Sequence, residues 1–118
     1  MVRRIANLAN VVFEIEYFHQ RVREEIESWP MDVLADYARI IELLGAHGPN
    51  LRLPYSRAFG GGLFELRPRG RSGIGRAFYS FRVGGRVVIL HAFIKKSQQT
   101  PERELRRARS RLKELSNV

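Results

Sequence analysis

Three apolar segments follow one another between Leu63 and Lys96, separated by short glycine-bearing turns, and no other stretch of the chain narrows the fold as much. They run from Leu63 to Pro68, Ile74 to Arg82 and Arg86 to Ile94. The basic turn Arg69-Gly70-Arg71-Ser72-Gly73 joins the first two, and Gly84-Gly85 reads as a two-residue hairpin turn between the last two. Strands joined by so few residues must pair antiparallel. The last strand carries Val87-Val88-Ile89-Leu90-His91-Ala92-Phe93 and stops on the lysine pair Lys95-Lys96. Apolar strands that end in Arg and Lys without acidic partners suit a polyanionic ligand.

The rest of the chain supplies layers for this meander. Val11, Phe13, Ile15 and Tyr17 alternate with Val12, Glu14, Glu16 and Phe18, the two-residue period of a half-buried strand. Val22, Ile26 and Trp29 then form one stripe of a helix that Pro30 ends, with that proline placed in the first turn of a second helix. The second helix buries Val33, Tyr37, Ile40 and Leu44 and stops near Gly45 to Gly48. Pro49 to Gly62 reads as a loop, and Met1 to Asn10 has no clear structural signal. Gly60-Gly61-Gly62 is not a P-loop, because no helix bearing Lys-Ser/Thr follows it. Thr100-Pro101 marks a helix start, with Thr100 as N-cap, and Leu105, Ala108, Leu112 and Leu115 give that helix one narrow apolar stripe. The order β-α-α-β-β-β-α predicts an α+β fold with a small, mostly antiparallel four-stranded sheet and helices packed on it. At 118 residues, positions 1–118 form one domain.

Composition removes several function classes. The absence of cysteine excludes disulfides, thiolate metal sites and thiol nucleophiles, and three scattered histidines (His19, His47, His91) argue against a metal centre. No small-molecule cofactor is expected. The N-terminal stretch acquires Glu14 and Glu16 early and reads as neither signal peptide nor membrane span, so a cytoplasmic location without membrane contact is expected. The net charge of +9 is unevenly spread: residues 1–50 hold five Lys/Arg and eight Asp/Glu (−3), residues 51–118 sixteen and four (+12). General solubility is the bland reading of that basicity; a footprint for nucleic-acid phosphates is the sharper one.

The candidate chemistry sits on the meander. Leu63, Glu65 and Arg67 share one face of their strand, and Arg76, Phe78, Ser80 and Arg82 share one face of the next. Arg67 and Arg76 lie on successive hairpin strands, and Lys95 and Lys96 add two more cations at the end of the third. Cleavage of RNA by its own 2′-hydroxyl passes through a transition state with extra negative charge on the phosphate, which preplaced guanidinium and ammonium groups stabilise. Proton transfer needs a further group, with His91, Tyr79, Glu65 or a lysine of depressed pKa as candidates. Each has a plainer reading: His91 as a hydrogen-bonded sheet histidine, Tyr79 as a packed ring, Glu14 and Glu16 as a solvated strand face, and the turn arginines Arg69, Arg71, Arg82 and Arg86 as solvated. The arginines of the last helix are either an exposed face or a grip on phosphate or a protein partner.

The run from Gly60 to Leu112 resembles the RelE/HigB superfamily of toxins from type II toxin–antitoxin systems, and is most similar to its phage-derived HigB-like branch. The resemblance is carried by Gly62-Leu63-Phe64-Glu65-Leu66-Arg67, by Arg76 to Tyr79, and by Phe93 to Pro101 with its lysine pair. It covers about residues 51–112, and the β-α-α start agrees with the family fold. The resemblance implies a small metal-independent endoribonuclease (an mRNA interferase, a hydrolase) acting on mRNA, commonly at the ribosome, and silenced by a helix-turn-helix antitoxin. It assigns catalysis to Arg67, Arg76, Lys95 and Lys96, with Tyr79 secondary. The family's C-terminal catalytic histidine or tyrosine has no counterpart in the last helix. The alternative is a non-catalytic basic module, of phage derivation, that binds RNA or protein.

Overall fold

The computed structural model describes residues 2–6 (backbone only), 13–95 and 100–116. Seven strands and three helices follow in the order β1 (Val2–Ala6), β2 (Phe13–Tyr17), α1 (Gln20–Glu27), α2 (Met31–His47), β3 (Ser56–Gly60), β4 (Leu63–Leu66), β5 (Arg69–Gly70), β6 (Gly73–Arg82), β7 (Arg86–Lys95) and α3 (Glu102–Ser116). One sheet takes all seven strands in the order β1-β2-β7-β6-β4-β3, with the two-residue β5 paired to β6 alone. The α+β class and the meander stand as the sequence predicts, but the sheet has more than the four strands expected. β1 occupies part of the segment that carried no signal, and β3 lies inside the expected loop.

The sheet is mixed because β2 runs parallel to β7, with Ile15 opposite Val87 and Tyr17 opposite Ile89. Glu16 and Arg86 tie this pair together through two hydrogen bonds of 2.5 and 2.8 Å. Glu16 is therefore buried and paired rather than part of a solvated face. The β6–β7 hairpin closes from Arg82 to Arg86, so its loop is the three residues Val83-Gly84-Gly85, not a two-residue turn. Both glycines sit at positive φ, 84° and 71°, which a side chain would strain.

Helices cover the two faces unequally. α1 and α2 bury Val22, Ile26, Val33, Tyr37, Ile40 and Leu44 against Ile15, Leu66, Ala77, Tyr79 and Ile89. α3 lays Ala108, Leu105, Leu112 and Leu115 on the other face, against Leu63, Phe78, Val88, Leu90 and Phe93. A bulge steps the register from Phe78–His91 to Tyr79–Ile89, leaving Leu90 unpaired with β6. The Leu90 carbonyl accepts a 2.7 Å hydrogen bond from Arg111 Nη1, which helps seat α3. Among the described residues no helix is long and apolar enough to cross a membrane.

Candidate functional site

Strand parity assembles the site. Glu65 stands opposite Phe78 and Arg57 opposite Glu65, while Arg76 stands opposite Phe93. Phe78 and Phe93 belong to the core under α3, so Glu65, Arg67, Arg76, Arg57 and Lys95 share the α3 face. They gather beyond the N-terminal end of that helix, where Thr100 reaches Glu65.

The centre of the group is a carboxylate, not a cation. Glu65 has no exposed surface. It accepts a 2.8 Å hydrogen bond from Arg67 Nη1 and a 3.0 Å bond from Thr100 Oγ1, and lies 3.6 Å from Arg76 Nε. Thr100 is thus not the N-cap of α3; the Pro101 carbonyl accepts from the amides of Glu104 and Leu105 in that position. Arg76 is 3% exposed and spends Nη1 on the Gly75 carbonyl at 2.8 Å. Its buried Nε has no hydrogen-bond partner among the described residues. Burial, then the charge of Arg67, pushes the Arg76 guanidinium down to about 10, with Glu65 holding it up. It remains charged near neutral pH. Burial also lowers Lys95, followed by the charge of Arg76, while Glu65 opposes the shift. One buried carboxylate therefore faces several cations, and the local balance stays positive.

A groove of about 300 Å³ opens onto this cluster, lined by Arg67, Arg69, Arg76, Leu53, Pro54 and Ile74. The basic turn beside it is held from below by α2. Asp36 Oδ2 accepts from the Arg69 amide at 2.8 Å and Asp32 Oδ2 from the Ser72 amide at 2.9 Å. The Ser72 bond is the leading cause that lowers the Asp32 pKa. A Cβ on Gly70 would meet the Asp32 carboxylate at 2.5 Å, so only glycine lets the turn approach so closely.

The structure brings together Arg67, Arg76 and Lys95 of the expected set; Lys96 lies outside the described residues. It does not bring Tyr79 to them. Three residues beyond Arg76, Tyr79 points to the other face, stacks on Phe64 with ring centroids 5.5 Å apart, and shares a 2.7 Å hydrogen bond with Ser56 Oγ. Burial pushes its hydroxyl up to about 12. His91 is also elsewhere: its Nε2 meets Glu104 Oε1 at 2.6 Å beside Arg107 and Arg111, and burial lowers its pKa against the pull of Glu104. Arg57, Thr100, Asp32 and Asp36 were not among the expected site residues. Ser56-Arg57-Ala58-Phe59-Gly60 shows no two-residue alternation of apolar and polar residues, so β3 left no periodic signal in the sequence.

A family model described as "Phage derived protein Gp49-like (DUF891)" matches residues 24–113, which takes in the second half of α1, all of α2, the whole meander and most of α3. No curated protein matches the chain. The match spans about three quarters of the chain, and the chain belongs to the phage-derived Gp49-like family, a family of RelE/HigB-like toxin type.

Proposed function

We propose that this protein is the toxin of a type II toxin–antitoxin pair, of the HigB-like branch, and that it cleaves mRNA at the ribosome without a metal ion until a helix-turn-helix antitoxin neutralises it. The observation that carries the reading is the set of Arg67, Arg76 and Lys95 on one sheet face around Glu65, with the buried Arg76 Nε 3.6 Å from Glu65 and without a hydrogen-bond partner among the described residues. Membership of a toxin-type family supports it.

In the proposed reaction the 2′-oxygen attacks the neighbouring phosphorus and the bond from phosphorus to the 5′-oxygen breaks. The products are a 2′,3′-cyclic phosphate and a free 5′-hydroxyl. Arg67 and Arg76 stabilise the charge that builds on the phosphate oxygens, an effect that costs about a hundredfold or more in rate when one such donor is removed. One proton leaves the 2′-hydroxyl to solvent, and Lys95 supplies one to the departing 5′-oxygen. Lys96 contacts the RNA backbone.

The test is growth arrest and mRNA cleavage in cells expressing the chain with and without its neighbouring reading frame. Arrest alone, rescue together and a co-purifying complex are expected. Arg76→Ala should relieve arrest while the protein stays folded, and Tyr79→Phe, on the far face, should not. Arrest that persists in Arg76→Ala sinks the site assignment. A second reading, a basic module that binds without cutting, is favoured by one observation: both His91 and Tyr79 are engaged away from the cluster. That reading expects salt-sensitive RNA retention with no cut product.

A further inference from the structure

Around the edge of β3 from the cation groove lies a larger hollow that the reaction above does not use. Its volume is about 430 Å³, within the range of pockets that take small ligands. Leu51, Leu53, Ala58 and Phe64 supply its apolar lining, and the exposed Arg52 and Arg57 border it. Two residues join it to the cation site. Leu53, which is 64% exposed, lines both hollows. Arg57 lines this one while its charge bears on Arg76 and Lys95. Ala58 stands opposite Phe64 on the α1–α2 side of the sheet, and Arg57 stands opposite Glu65 on the α3 side, so the two hollows meet at the β3 edge.

An open apolar surface bordered by guanidinium groups, continuous with a phosphate-type site, has the chemistry that single-stranded RNA recognition uses. Bases splayed from the strand lie on apolar or aromatic side chains and on arginine planes while cations track the backbone. We propose that this pocket holds one unstacked nucleobase of the RNA whose phosphate lies at Arg67 and Arg76. The proposal rests on the RNA reading above. A protein side chain would fill the apolar part but would leave the link to the cation site without a purpose.

Binding of 2′-fluoro tetranucleotides, which resist cleavage, tests this when each is compared intact and abasic at one position. The wild type is expected to bind the form abasic at one particular position about tenfold more weakly than the intact form. Ala58→Leu narrows the pocket and Leu53→Ser removes its exposed wall. In either variant the intact form should weaken towards the abasic one, so that the difference disappears. Arg76→Ala should weaken both forms alike and keep the difference. The pocket assignment is overturned if no position shows a penalty in the wild type, or if the penalty survives in both pocket variants, while salt-sensitive binding persists. Complete absence of RNA binding by the wild type overturns the RNA reading along with it. Loss of a co-purifying protein partner in Ala58→Leu with the abasic penalty intact assigns the pocket to that partner instead.

Discussion

Glu65 has no exposed surface, and its two carboxylate oxygens are divided between Arg67 and Thr100 while Arg76 Nε lies 3.6 Å away. Its charge opposes the mutual repulsion of Arg76, Lys95 and their neighbours, so it reads as the residue that makes the cluster possible rather than as its base. Glu65→Gln keeps the shape and removes the charge, leaving a buried guanidinium uncompensated. That change is expected to cost about 3 kcal/mol in urea unfolding, because a buried ion pair broken from one side strands the other partner. A cost under about 1 kcal/mol would show that the cations do not depend on it. Lys95 carries a second prediction. As donor to the departing 5′-oxygen it must be protonated, so cleavage should fall as pH rises through its lowered pKa. Lys95→Arg, protonated throughout, should flatten that limb of the pH–rate profile; an unchanged limb removes Lys95 from the proton step.

At the scale of elements, α2 does more than cover the sheet. Asp32 and Asp36, in its first two turns, accept from the main-chain amides of Ser72 and Arg69 and hold the basic turn beside the groove. Gly70→Ala would drive a Cβ into the Asp32 carboxylate. The expected result is a destabilisation of about 1–3 kcal/mol by overpacking, together with weaker RNA binding as Arg69 leaves the groove. Unchanged stability and binding would mean that the turn relaxes freely. The pH sign follows from Asp32, whose folded pKa lies below its ordinary value of 3.8. The stabilisation from its amide bonds is complete above that ordinary value and is lost as pH falls through the folded one. α3 also settles His91: on the same sheet face as Lys95 but four residues along β7, it is engaged by Glu104 rather than by the cation cluster.

For the whole molecule, the uneven charge along the chain becomes an internal arrangement. Several acids of the first half are used on the basic second half: Glu16 on Arg86, and Asp32 and Asp36 on the turn at Arg69–Ser72. The cations around the groove keep the excess. With about four phosphate contacts from Arg57, Arg67, Arg69 and Arg76, the logarithm of RNA affinity should fall with that of salt at a slope near −3, or about fiftyfold between 50 and 200 mM. A slope near zero would exclude phosphate contacts as the source of affinity.

The meander, both core helices, the docking stripe of α3 and the nearness of Arg67, Arg76 and Lys95 were legible in the sequence because each depends on a local period or a short turn. Strand parity alone separates Arg76 from Tyr79. The sequence could not show that β3 extends the sheet, that β2 runs parallel to β7, or that Thr100 reaches Glu65 across 35 positions. Nor could it show that Glu65 lies among the cations or that Leu53 and Arg57 join two hollows at one sheet edge. Those are matters of register between distant segments, decided when the core closes and brings buried charges side by side. The sequence by itself determined which residues could carry charge into a site; the tertiary structure decided which of them meet, and around what.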